Sequence, residues 1–203
     1  MIKVKINETE FELQRHAGAA EELDRQVEAR LSELGMYPDK VIVDGVEPDE
    51  DLKGYVAGRL DEINCIEIRA VALCQFLDKA LGACRQYLET AVPEISRLGE
   101  DFYKDPTSGT WQRFGQMLEG LEWISRLLDS IAANPDACLY PETYQRLGNE
   151  LSQHLKQLHD AVTDRDMVFT GDLIQYEIAP LLAGLQDTID QSAAGRPRQQ
   201  ACH

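Results

Sequence analysis

The sequence predicts an α+β protein, with a small unit of strands and helices over residues 1–70 and an antiparallel four-helix bundle over residues 71–191. Three observations carry this. Apolar residues alternate at Ile2, Val4 and Ile6, the period of a half-buried strand. Beyond residue 70 apolar residues recur every three or four positions, the period of a helix packed on one face. The breaks between these helical stretches are short, and short connections favour antiparallel neighbours.

Residues 2–6 are the first strand. Asn7-Glu8-Thr9-Glu10 reads as a tight turn, and Phe11 and Leu13 continue the alternation as a second strand. From Ala17 to Leu34 the period becomes helical through Leu23, Val27, Leu31 and Leu34, with Gly35 as a natural stop. Lys40-Val-Ile-Val-Asp44 is a third strand closed by the turn dipeptide Asp44-Gly45. Asp49 to Ile63 reads as a helix with acidic residues in its first turn, where the helix dipole favours them. Cys65-Ile-Glu-Ile68 is a fourth strand.

The first long helix carries Leu73, Leu77, Ala80, Cys84, Leu88, Ala91, Ile95, Leu98 and Phe102, and Pro93 inside it implies a kink or a restart. Asp105 to Gly109 breaks the chain. The second helix places Trp111, Phe114, Leu118, Leu121, Ile124, Leu128 and Ile131 on one face. Pro141 suits the first position of a third helix, which carries Tyr144, Leu147, Leu151, Leu155, Leu158 and Val162. Thr163 to Asp166 leads to a fourth, with Ile174, Ile178, Leu181, Leu185 and Ile189 in register. Pro180 removes an amide that Tyr176 would otherwise bond and bends this helix. Residues 192–203 are polar and expected to be disordered.

The order β-β-α-β-α-β over the first 70 residues or so resembles the ubiquitin-like β-grasp fold. Two specialisations implied by that resemblance do not fit. The fourth strand runs straight into a helix rather than ending in a free Gly-Gly tail, and a single cysteine in this region cannot hold a plant-type iron–sulfur cluster. Leu118-Glu-Gly-Leu-Glu-Trp-Ile124 and Gly171-Asp-Leu-Ile-Gln-Tyr-Glu-Ile-Ala-Pro180 are similar to segments of an uncharacterised bacterial family with a β-grasp-like start and a helical rear. That resemblance implies the architecture and no activity.

Charge excludes partners more clearly than it selects them. The chain has 36 acidic and 20 basic residues, a net of −16. Residues 1–70 hold 17 acidic and 9 basic residues, half of the excess, so the charge is spread along the chain. Such a surface repels phosphate backbones and anionic lipid heads, which speaks against nucleic acid and membrane as partners. No apolar run reaches the roughly 20 residues of a membrane span, and the first residues lack the apolar block of a signal peptide. A cytoplasmic location is expected. The five cysteines show no C-x-x-C and read as inert thiols rather than a disulfide or zinc framework.

Catalytic motifs do not emerge. There is no G-x-S-x-G elbow and no glycine-rich phosphate loop. Glu150 and His154 share a helix face, but di-iron bundles repeat a Glu/His pair and this one occurs once, so it reads as an exposed ion pair. No catalytic residue, metal site or cofactor is assigned.

Two segments are richer than packing alone requires. Trp111 to Trp123 holds Gly115 and Gly120 inside a helix, where each costs about 0.8–1.0 kcal/mol relative to Ala and suggests close approach of a backbone or a ligand. Trp111 falls on the inward stripe. Trp123, beside Glu119 and Glu122, is either core margin or contact surface. In the second segment, Glu177 follows Leu173 and Ile174 and precedes Leu181. It either accepts a hydrogen bond, as from Tyr144 or Trp111, or awaits a basic residue of a partner, with Tyr176 beside it.

Trp123, Glu119, Glu122, Tyr176 and Glu177 are therefore the candidate partner-binding residues. The expected function is a non-enzymatic protein–protein interaction module, adaptor or chaperone-like, of a kind seen in flagellar-type export. Its partner is another protein or a second copy, as in a homodimer. The alternative is a small-molecule sensor or enzyme with a pocket between bundle and N-terminal unit, using Glu177, Tyr176 and His154.

Overall fold

The structure, a computed structural model, describes residues 1–16, 18–48 and 52–195. The chain divides into two compact units, Met1–Phe76 and Leu77–His203. The class is α+β, a four-stranded mixed sheet with two helices followed by long helices packed together.

In the first unit, β1 (Ile2–Ile6) buries Ile2, Val4 and Ile6 completely. It pairs antiparallel with β2 (Thr9–Leu13) across a two-residue turn, with Ile6 opposite Thr9. Asn7 holds that turn at φ 50°. Its side chain accepts from the Ala70 amide at 3.0 Å and donates to the Ala70 carbonyl at 2.9 Å, tying the hairpin to β4 (Cys65–Ala72). β1 runs parallel to β4, β3 (Met36–Val43) runs antiparallel to β4, and the sheet order is β2-β1-β4-β3.

Helix α1 (Ala19–Leu34) lays Leu23, Val27 and Leu31 on this sheet and ends at Gly35 with φ 61°, as the glycine predicts. The Asp44-Gly45 turn has positive φ at both residues, and the Asp44 carboxylate accepts from the Asn64 and Cys65 amides.

Both later strands are longer than the alternation indicates. β3 begins at Met36 rather than Lys40, and β4 continues to Ala72 rather than Ile68. A bulge between Pro38 and Lys40 interrupts the period, and residues 36–38 pair with Ala72, Val71 and Ala70 regardless. Helix α2 spans Leu52–Arg59, shorter than the expected stretch to Ile63. The acidic first turn expected at Asp49 lies outside the described residues.

The second unit is built from α3 (Leu73–Phe102) from Leu77 onward, α4 (Ser108–Ala133), α5 (Pro141–Thr163) and a composite fourth helix. That last element is α6 (Met167–Asp172), a π turn (Leu173–Ile178) and α7 (Ala179–Gly195). Neighbours run antiparallel. Tyr87 on α3 meets Gly120 and Trp123 on α4, while Phe102 meets Phe114. On α5, Tyr144 bonds Ser192 and His154 approaches Glu177, and Gly99 on α3 faces Gly171 on α6. The four helices thus close a ring in chain order.

Several expectations change at residue level. α3 passes Pro93 without a restart, and that proline lies on the exposed face. On α4, Thr110 and Met117 take the inward positions assigned to Trp111 and Leu118, which sit about 100° further round the helix. α7 runs to Gly195 rather than stopping at 191, because Ser192 is buried and bonded to Tyr144. Residues 196–203 lie outside the described residues. Cys65, Cys84 and Cys138 are free thiols, and burial pushes Cys84 up to about 12. Cys74 is not among the free thiols, contrary to expectation.

Candidate functional site

The α3–α4 face carries the most chemically distinctive surface of the helical unit. Thr107 caps α4 by a reciprocal bond with Thr110, which fixes where the helix starts and hence which residues face α3. Ala91, Ile95, Leu98 and Met117 floor a shallow groove of about 310 Å³, with Tyr87 at one end and Arg113 at the other.

Gly120 explains the Tyr87 end. A Cβ there would stand 2.7 Å from Tyr87 Cζ, so the glycine leaves room for the phenol to lie down on α4. Burial raises the Tyr87 pKa above its ordinary value. Tyr87 in turn meets the Trp123 indole edge-on, with centroids 6.2 Å apart. Trp123 is 39% exposed, so its ring is propped on one side and open on the other. Gly115, the other glycine singled out, has no such role, since a Cβ on it would meet nothing within 4 Å.

Two groove residues are ion-paired, Glu94 with Arg97 at 2.7 Å and Arg113 with Asp101 across the two helices, and beside Trp123 on α4 Glu122 pairs with Arg126 at 2.8 Å. Glu119 is exposed and next to Gly120. This face is therefore close to neutral in a chain of net charge −16.

Trp111 lies further along α4 and is 38% exposed. Its ring packs edge-on against Phe102 and Phe114 at 5.4 and 5.6 Å, so it covers the core end instead of filling it.

Tyr176 and Glu177 sit elsewhere. In an α-helix Glu177 would share a stripe with Ile174 and Leu181. Ile174, Ile178 and Leu181 face inward as their spacing predicts, and a π turn runs through this stretch, Ala179 N–H bonding Ile174 O, with Tyr176 and Glu177 exposed on it. Pro180, which cannot donate to Tyr176, follows immediately. Neither expected donor reaches Glu177: Tyr144 bonds Ser192, and Trp111 packs on Phe102. Its neighbour is His154 Nε2 at 3.9 Å. The Glu150–His154 pair does not form either, since Glu150 takes Arg146 at 2.9 Å.

Tyr176 lies beside Tyr103, whose hydroxyl donates to Asp172 at 2.6 Å; that bond raises the Tyr103 pKa. Tyr87 and Tyr103 are about 24 Å apart along α3. The Trp123 group and the Tyr176–Glu177 group are thus separate surfaces.

A close approach of two backbones in the unit has no counterpart in the sequence patterns. Gly99 and Gly171 bring two backbones together, and a Cβ on Gly171 would stand 2.9 Å from Gly99 O. Small residues on both helices are the available signal, visible only once the helices are known to cross. Among the described residues no three His, Cys, Asp or Glu side chains gather as metal ligands, and no helix is long and apolar enough to cross a membrane.

Such a fold defines an α+β protein in which a four-stranded mixed sheet with two helices precedes long helices packed together. The chain belongs to the family described as domain of unknown function DUF8042, whose model matches residues 79–188, more than half of the sequence and wholly within the helical unit. No curated protein and no solved structure matches it.

Proposed function

We propose that this chain is a non-enzymatic protein-interaction module, adaptor or chaperone-like, whose α3–α4 face receives a helix of another polypeptide. The observation that carries the reading is Trp123, an exposed indole held by Tyr87, which itself rests in the gap left by Gly120. Contacts that dominate protein interfaces are enriched in such aromatic anchors, and a ring already held loses little freedom on binding. The balanced ion pairs favour an apolar, weakly charged helix face over a nucleic acid or a strongly basic segment. Chaperoning of a helical export subunit is a narrower form of the proposal, and it rests on analogy of class.

Site-specific photocrosslinking in cells tests it, with the reactive residue placed at Trp123 and, as control, at the exposed Asp129 on α4. A discrete polypeptide adduct from position 123 alone is expected, and one of twice the chain mass would make the partner a second copy. Equal crosslinking from both positions would contradict the proposal.

A sensor or enzyme reading keeps one observation in its favour, the approach of His154 to Glu177 at 3.9 Å. It requires a small molecule whose binding shifts the His154 ring resonances. A metabolite screen by NMR with no such shift would remove it.

A further inference from the structure

A cavity of about 560 Å³ lies in the N-terminal unit between α1 and the edge strand β3. Its floor is Val27, Leu31, Met36, Val41 and Ile68, with Tyr37 and Leu52 at the margin. Tyr37 is stacked on Phe76 at 5.4 Å, which fixes that wall. The volume falls within the roughly 300–1,000 Å³ of ligand-sized clefts.

One wall is charged. Asp24 and Glu28 line the groove one helical turn apart. Like charges at that spacing cost a helix a few tenths of a kcal/mol, about 0.2–0.5. Among the described residues neither carboxylate has a hydrogen-bond or ion-pair partner, whereas the neighbouring Glu22 is held by His16 and Gln26.

The opposite wall decides the shape of the occupant. β3 is an edge strand, and edges commonly accept an added strand. This one is closed to that. Pro38 has no amide to offer, a bulge follows it, and Val43 exchanges both backbone bonds with Val46 at 2.8 and 2.9 Å. Lys40 and Glu47 pair at 2.5 Å over the same edge. An extended peptide would leave its backbone unpaired, so the groove suits a segment whose backbone bonds are already satisfied.

We infer that the α1–β3 groove binds a basic amphipathic helix, with its apolar side chains on Val27, Leu31 and Met36 and with Lys or Arg one turn apart on Asp24 and Glu28. The inference extends the interaction reading to a second surface and does not depend on Trp123.

The test uses the full chain and a synthetic amphipathic leucine–lysine peptide of about 14 residues, long enough to form a helix on binding. A counterpart with glutamate for lysine is the control. Fluorescence polarisation should show binding of the lysine peptide only. Asp24→Lys with Glu28→Lys should weaken it by about tenfold or more, a loss of about 1.4 kcal/mol. Asp129→Lys with Asp160→Lys, the same charge change at exposed sites on the bundle, should leave it unchanged. Ser32→Trp, at an exposed position on the groove wall, should block binding without altering charge. Trp123→Glu should not affect it. Equal weakening by both charge-reversed pairs would mean diffuse attraction to an acidic protein and overturn the inference, as would binding that survives Ser32→Trp.

Discussion

Tyr87 lies where the β-carbon of residue 120 would be, so Gly120 and the exposed Trp123 are linked through one phenol ring. A glycine that costs helix stability is thereby coupled to the orientation of the surface indole. Gly115, five residues earlier on the same helix, serves as an internal control because its Cβ position is open.

Gly115→Ala should raise stability by about 0.8–1.0 kcal/mol, the ordinary gain within a helix. Gly120→Ala should fail to give that gain, since the rigid ring must leave its seat, and should weaken the near-ultraviolet circular dichroism of Trp123. Urea melts of both variants check this. Equal gains would mean that Tyr87 moves aside without consequence.

At the other end of α3, Gly171→Ala places a methyl against the Gly99 carbonyl, a backbone atom that a side-chain rotation cannot move. Overpacking of this kind costs about 1–3 kcal/mol. The measurement is the denaturation midpoint, expected to fall with the m-value unchanged.

Tyr144 and Ser192 form a buried bond at 2.9 Å, and Ser192 also donates to the Thr188 carbonyl at 2.9 Å. With its single proton committed there, Ser192 accepts from Tyr144. Tyr144→Phe should therefore cost only about 1 kcal/mol, because Ser192 keeps its other partner. Ending the chain at residue 191 should cost more than this, since it also removes the buried Ser192 and the last turn of α7.

The alkaline limb of stability has a defined sign. Burial raises Cys84 from 9.0 to about 12, and also raises Tyr144 above its usual value. A raised folded-state pKa contributes stability that is fully present below the unfolded value and lost as pH climbs towards the folded one. Stability should fall between pH 9 and 12, less steeply in Cys84→Ala once corrected for its neutral-pH loss. Iodoacetamide at about pH 8, below the ordinary thiol pKa, should modify Cys84 only in the unfolded protein.

Much of the fold is legible because each unit is amphipathic with a clean period. Ile2, Val4 and Ile6 face inward as their alternation implies, and Gly35 and Pro141 stand at the helix termini their chemistry suits. Periodicity misleads where a local irregularity moves the phase. The bulge at Pro38 hides the first half of β3, and no spacing signals the π turn at Leu173–Ile178, on which Glu177 stands exposed although apolar residues flank it in sequence. Trp111 is large and apolar and spacing puts it inside, yet Thr110 holds the inward position beside it. Gly120 stands out in the sequence as a place of close approach, but its partner, the side chain of Tyr87, belongs to another helix and no local pattern names it.

Trp123 as a ring fixed in advance of any partner is the physical basis of the proposed function. Time-resolved fluorescence anisotropy of Trp123, isolated in a Trp111→Phe background, measures this directly. The indole should tumble with the whole protein, and Tyr87→Ala should release a fast local rotation. Fast rotation already present with Tyr87 in place would contradict the proposal.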